Sequence, residues 1–324
     1  MRQTPHHLAC AALLLSMTLP GMAAGQETGD VDLQAGFADR VSVAYILVPV
    51  IARGKGGYVD NLVADDFELK VDGMTVPFES FDVGDSAPVS IIFLQDLSGS
   101  MANADKLRFS RLAVEQILNG AQTGDQFALA SFADNHLSLD ISYTDDTEVI
   151  DTELGTWSPY GVTALHDAVS GLPALTQDRQ SAKRAAILIT DGADNASALS
   201  PSAAREQVRQ ADLPVYVLGL STGDPQSLAR DGQKLHRYAD ILNLLAHLTG
   251  GEYFWVTSVQ DAIHASSIIT ADLRHQYVLG FSTSDESDIA YREIEVTTRK
   301  KKVQLSFRRG YRGPPPRVQI TIAR

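Results

Sequence analysis

The sequence has almost no cysteine. Its one example, Cys10, lies in an apolar N-terminal stretch, residues 8–19 (LACAALLLSMTL), that reads as the core of an export signal. Removal of that signal is expected to leave a chain with no thiol. Disulfides, zinc–thiolate sites and cysteine nucleophiles are then excluded together. A lipidated cysteine is excluded as well, because His7 stands where a lipoprotein signal needs an apolar residue. Positive charge is also scarce: 27 Lys and Arg face 40 Asp and Glu, a formal net charge of −13. An acidic chain of this kind repels nucleic acid and anionic lipid. No second apolar run approaches the roughly 20 residues of a membrane span. The H-E-x-x-H signature of zinc proteases is missing too.

What is present divides into three regions after a signal peptide (1–24) and a polar, flexible leader (25–36). Residues 37–87 read as β structure. Residues 41–51 are rich in Val, Ile and Tyr, the string GKGG at 54–57 makes a turn, and 67–71 (FELKV) alternates apolar and polar. Asp72-Gly73 is a hairpin signal. Residues 88–275 then alternate strand and helix patterns. The runs 89–94 (VSIIFL), 185–190 (AAILIT) and 215–220 (VYVLGL) are nearly all apolar, as strands buried on both faces are. Residues 126–132 and 137–143 read as a strand and its edge hairpin. Helical spacing appears at 107–117, 164–172, 202–211, 241–248 and 259–273. The fold class expected is α/β, a doubly wound, mostly parallel, Rossmann-like sheet. Residues 276–324 return to strands. Neither all-β flank is long enough to bury a core alone, so 276–324 is expected to pack with 37–87 as a small β-sandwich. The basic run 299–302 (RKKK) reads as a solvated hairpin turn.

The chemistry starts where the first buried strand ends. Asp96, Ser98 and Ser100 carry oxygen at alternate positions, so in extended chain they face the same way. Gly99 allows the tight loop that would fold them round an ion. By itself this pattern fits an ordinary turn equally well. Two further segments add to it. Thr163 precedes a predicted helix, and Asp191 follows the buried strand 185–190 directly. Ligands of open parallel sheets bind at the carboxyl ends of strands, where Asp96 and Asp191 both fall. All five donors are hard oxygens, which suits Mg²⁺, with Mn²⁺ or Ca²⁺ as alternatives, over zinc or copper. Three neutral hydroxyls and two carboxylates barely neutralise such an ion, which leaves it electrophilic towards a carboxylate from outside.

With these elements in order, residues 88–275 resemble a von Willebrand factor A domain. Asp96, Ser98, Ser100, Thr163 and Asp191 match that family's metal-ion-dependent adhesion site. The flanks, 62–73 (LVADDFELKVDG), 273–281 (LRHQYVLGF) and 308–311 (RRGY), resemble a bacterial secreted group of the Acidobacteria type. The resemblance implies a cation-dependent adhesion module, not an enzyme, with Thr163 on the ion when a protein partner presents Asp or Glu. Export to the periplasm or beyond follows from the signal. Two other functions remain open: a structural envelope-assembly module with a stabilising metal, and a metal-assisted hydrolase. Asp194, Asn195, Trp157 and Tyr160 are candidates for the rim or outer support of the site. Asp134, Asn135 and His136 read as a simple turn. A Ser–His–Asp arrangement of Ser98 or Ser100 with His166 and Asp167 is set aside, since the serines are already committed to the ion.

Overall fold

The structure is a computed structural model that describes residues 42–83, 87–103, 105–176, 181, 183–209, 213–220, 235–283, 291–312 and 317–319. The expected signal with Cys10, the leader and residues 37–41 lie outside them. The chain opens with β1 (Ser42–Gly54), β2 (Gly57–Tyr58), β3 (Phe67–Val71), β4 (Met74–Thr75) and β5 (Ser80–Asp82). An alternating stretch follows: β6 (Val89–Asp96), α1 (Lys106–Leu118), β7 (Gln126–Ala133), β8 (His136–Thr144), α2 (Thr147–Thr156), α3 (Leu165–Ser170), α4 (Leu172–Leu175), β9 (Lys183–Thr190), α5 (Pro201–Val208), β10 (Val215–Leu220), α6 (Leu235–Thr249), β11 (Tyr253–Val256) and α7 (Val259–Arg274). The tail holds β12 (Gln276–Thr283), β13 (Tyr291–Thr298), β14 (Gln304–Phe307), β15 (Gly310–Arg312) and β16 (Arg317–Gln319).

The apolar runs form the middle of one sheet, ordered β11-β10-β9-β6-β7-β8. All neighbours are parallel except β8, which returns antiparallel along β7 as an edge. Every residue of β6, β9 and β10 is buried. Alternate side chains serve opposite faces. Phe93 and Ile187 pack with α1, α2 and α7, while Leu94 and Leu188 pack with α3, α5 and α6. This is the doubly wound α/β arrangement the sequence predicts. Two details differ. The helix α2 was not predicted, its pattern being short and acidic. The helix predicted at 164–172 is interrupted at Gly171, and Pro173 starts α4 because proline fits a first helical turn.

The end of the sheet opposite the strand carboxyl ends is held by one ion pair. Asp125, before β7, is 2% exposed and accepts from the backbone N–H of Val89 at 3.0 Å and of Gln122 at 2.8 Å. The Arg274 guanidinium at the end of α7 binds both of its oxygens. Burial alone would raise the carboxyl, but the guanidinium and the two N–H groups outweigh it and hold it below the ordinary carboxylate range. A depressed folded-state pKa adds stability above the unfolded value of about 4, and that stability is lost as pH falls through the folded value. Arg274→Met should therefore lower the melting temperature at pH 7. The gap to wild type should narrow as pH falls from about 5 towards 3. Circular-dichroism melts across that window check it, and a gap independent of pH would refute it.

Strands from both flanks pair into two further sheets. One runs β14-β1-β12-β5, with β2 and β16 also on β1, and the other β15-β13-β3-β4. Ile46, Val48, Leu279 and Phe281 of the first face Leu69, Val71, Ile294 and Val296 of the second in one core, which makes a small β-sandwich. The hairpin signal Asp72-Gly73 joins β3 to β4 with φ +49° and +78°, both positive as the tight hairpin turn requires. The basic run at 299–302 is not the hairpin the sequence predicts. It carries the chain from β13 in one sheet to β14 in the other, with Lys300 Nζ 3.2 Å from Asp66 Oδ1.

Candidate functional site

The strand order reverses direction between β6 and β9. Chain leaving β6 goes to β7 on one side, and chain leaving β9 goes to β10 on the other. The crevice at the carboxyl ends of this pair is where open α/β sheets place ligands. Asp96 is the last residue of β6 and Asp191 follows β9. Asp96 is fully buried. Its Oδ1 accepts from the Ser98 N–H at 2.8 Å and its Oδ2 from the Thr190 hydroxyl at 2.6 Å. Burial pushes its carboxyl up to about 6; the Ser98 and Thr190 donors pull the other way, and the charge of nearby Asp191 adds to the rise. Ser98 caps a short 3₁₀ turn, Gly99–Ala102, that brings Ser98 Oγ and Ser100 Oγ to 3.2 Å. The tight turn that follows the strand end thus gathers the three oxygen-bearing side chains.

Thr163 arrives on a loop that is pinned at nearly every residue. The Tyr160 N–H donates to Leu97 O at 2.7 Å, and the Gly99 N–H to Gly161 O at 3.1 Å. The Asp134 N–H donates to Val162 O at 2.7 Å, and Asp134 Oδ1 accepts from the Val162 N–H at 2.7 Å. The Thr163 N–H donates to Asn195 Oδ1 at 2.9 Å. Gly161 has φ +67°, and a Cβ there would lie 2.2 Å from Asp134 Oδ1, so only glycine fits. Thr163 itself is buried, at 2% exposure. The five expected donors thus lie on three loops tied to one another. Among the described residues, no group of three or more His, Cys, Asp or Glu side chains converges for a metal. A cation here would rest on hydroxyls as much as on carboxylates. The fit is to a hard, oxygen-seeking ion.

The rim candidates separate. Asn195 supports Thr163 as above, and Tyr160 stands 49% exposed beside it, as does Val162 at 46%. Asp194 accepts from Ser197 Oγ at 2.5 Å and lies 3.2 Å from His166 Nδ1, bracing the start of α3. Trp157 is a correction: it is 5% exposed and packs in the core with the α1 and α2 side chains, so it is no rim contact. His166 pairs with Asp194, while Asp167 accepts from the N–H groups of Ala198 and Leu199. Neither is joined to Ser98 or Ser100, so the set-aside triad is not assembled.

Three contributors escaped the sequence reading. Thr190 holds Asp96, and Asp134, in the turn between β7 and β8, also holds the Thr163 loop. Lys106 Nζ donates to Asp191 Oδ2 at 2.7 Å and to Ser100 O at 3.3 Å. A G-x-S-x-G string, counted as absent when the Ser–His–Asp arrangement is set aside on sequence, is in fact present as Gly219-Leu220-Ser221-Thr222-Gly223, and its Ser221 lies outside the described residues.

Fold and site together define a doubly wound α/β domain with its polar side chains gathered at the carboxyl edge of the sheet. Residues 91–193 match the family model of the von Willebrand factor type A domain. No curated protein sequence matches it. Among solved structures it is similar to an aerotolerance-related membrane protein from Bacteroides fragilis, at 21% identity and TM-score 0.44, covering 57% of this chain and 98% of that one. It is similar to a von Willebrand factor type A protein from Catenulispora acidiphila, at 12% identity and TM-score 0.45, covering 83% and 72%. A third is proximal thread matrix protein 1 from the mussel byssus with a zinc-occupied MIDAS motif, at 19% identity and TM-score 0.47, covering 63% and 50%.

Proposed function

We propose that this protein is an exported, divalent-cation-dependent binding module that grips an acidic residue of a protein partner. Asp96, Ser98, Ser100, Thr163 and Asp191 would hold the ion. The observation that carries the reading is their donor chemistry at the β6–β9 switch point: three hydroxyls, two carboxylates and, among the described residues, no cluster of three or more acids or histidines. Mg²⁺ suits such donors best, with Mn²⁺ or Ca²⁺ as substitutes. A bound ion would supply Lewis acidity that the protein's own charge only just offsets, and so attract a carboxylate. The chain's residues do the rest. Thr190 and the Ser98 N–H orient Asp96, and Asn195 and Asp134 fix the Thr163 loop. Exposed Tyr160 and Val162 give a partner an apolar contact beside the charged one.

Calorimetric titration of chelator-treated protein with Mg²⁺ and Mn²⁺ tests the first half. Wild type should give saturable heat, and Asp96→Ala with Asp191→Ala should give none. Silence in wild type, or equal heat in the double variant, would refute the reading. Partner capture from envelope extract should then occur with Mg²⁺ and fail with chelator.

A further inference from the structure

We propose that Lys106 is a built-in counter-cation that competes with the divalent ion for Asp191 and thereby sets the metal affinity of the site. The inference rests on the metal reading above and concerns a residue outside the expected ligand set. Lys106 is the first residue of α1 and follows Asp105, whose φ of +59° marks a sharp, fixed entry to the helix. From there its ammonium donates to Asp191 Oδ2 at 2.7 Å and to the Ser100 carbonyl at 3.3 Å. Both side chains are well covered, Lys106 at 13% and Asp191 at 6% exposure. Among the described residues, no other Lys or Arg forms an ion pair with Asp96 or Asp191.

The charge balance of the site follows from this contact. The two carboxylates alone would offer a cation two negative charges. One of them is matched by an ammonium at hydrogen-bond distance, so the cluster offers one. The second oxygen of Asp191 accepts from the Ala193 N–H at 3.2 Å, and the two Asp96 oxygens take the Ser98 N–H and the Thr190 hydroxyl. A divalent ion that uses Asp191 therefore enters against the field of Lys106 or displaces it. Solvent screens that repulsion poorly in so covered a place. Displacement is mechanically simple, because the ammonium sits on a flexible four-carbon stem at the edge of solvent. Weak, reversible occupancy is the consequence, so binding would follow the ambient concentration of the ion. A lysine at the first position of a helix normally serves as a solvated helix-start residue. Its two acceptors inside the ligand cluster set this one apart.

The test is Mn²⁺ binding to the full chain, followed by calorimetry and by the electron paramagnetic resonance of free Mn²⁺. Wild type, Lys106→Met, Lys106→Gln and Lys106→Arg are compared. Both neutral variants should bind Mn²⁺ at least tenfold more tightly, and the arginine variant should stay within threefold of wild type. In chelator, Lys106→Met should melt below wild type, since Asp191 then faces Asp96 unpaired, and Mn²⁺ should raise its melting temperature by more. Lys106→Gln keeps a polar side chain near the Ser100 carbonyl, so the comparison stands if the methionine variant folds poorly. Equal or weaker Mn²⁺ binding in both neutral variants would overturn the competition and make Lys106 a support for Asp191. If wild type and all variants ignore millimolar Mn²⁺, the metal reading itself fails, and this inference with it.

Discussion

Asp96→Asn should reduce Mg²⁺ and Mn²⁺ affinity at least a hundredfold while leaving the metal-free protein as stable as wild type or more so. The two effects have one cause. Asp96 is fully buried, and burial is the main reason its carboxyl is pushed up to about 6. Keeping it ionised at pH 7 costs roughly 2–3 kcal/mol, from about 1.4 kcal/mol per pKa unit across the rise. Asparagine removes that cost and keeps the volume. Its carbonyl can accept from the Ser98 N–H, and its amide can donate to the Thr190 hydroxyl, which retains the bond from the Gly192 N–H at 2.9 Å. The fold keeps its contacts. A cation loses one of only two charged donors, the one that no lysine neutralises. Differential scanning calorimetry with chelator and then with Mg²⁺ separates the two effects. Wild type should gain stability with the ion, and Asp96→Asn should not. A variant that melts well below wild type in chelator would show that the carboxylate serves the fold, and would sink the argument that its charge is kept for binding.

The parts of this site that the sequence made legible are those set by short-range rules. Asp96, Ser98 and Ser100 were legible as a set because they stand at alternate positions where a buried strand runs into a glycine-bearing turn. The place of Asp191 at the sheet's carboxyl edge was legible because an apolar run marks the buried strand before it. Lys106 was not legible, because its meaning depends on a carboxylate 85 positions away in sequence. At its own position it is an ordinary first helical residue. Asp134 looked like turn chemistry, and its φ of +53° is indeed a turn value. Only the arrival of the Val162 backbone turns it into a clamp. Trp157 was misread for a related reason. Loop aromatics near a site resemble contact residues, and nothing local shows that this ring faces α1 and α2. The pairing of the flanking strands was legible from length, since neither flank could bury a core alone. Their exact register was not, because β1 takes β12 on one side and β14 on the other.

Arg53→Met should destabilise the protein by about 3 kcal/mol without changing metal affinity at 25 °C. Arg53 lies on β1 of the sandwich and Asp272 on α7 of the α/β layer. The guanidinium donates to Asp272 Oδ1 at 2.5 Å, and the Tyr58 hydroxyl donates to the same oxygen at 2.6 Å. The Tyr216 hydroxyl reaches Oδ2 at 3.3 Å, and Glu252 lies 3.3 Å from the guanidinium. Burial pushes the Asp272 carboxyl up, while Tyr58 and Arg53 pull it back. The Asp272 side chain is 1% exposed and that of Arg53 32%, so losing the arginine strands a carboxylate that water cannot reach. Breaking a buried pair from one side costs roughly 3–5 kcal/mol, and the partial exposure of Arg53 with two remaining hydroxyl donors places this case at the low end. Chemical denaturation of Arg53→Met, Asp272→Asn and the double variant measures it. The double variant should recover much of the loss, because no uncompensated charge remains. Additive losses would show that Arg53 acts through packing over Tyr58 and not through the ion pair. Metal affinity should hold because the ligand loops hang from β6 and β9. One route from Arg53 towards them runs through α7 packed on α1, where the Ser266 hydroxyl donates to Ala113 O at 2.9 Å. A large loss of metal affinity in Arg53→Met would mean that this chain of contacts carries the sandwich's state to Lys106, the first residue of α1.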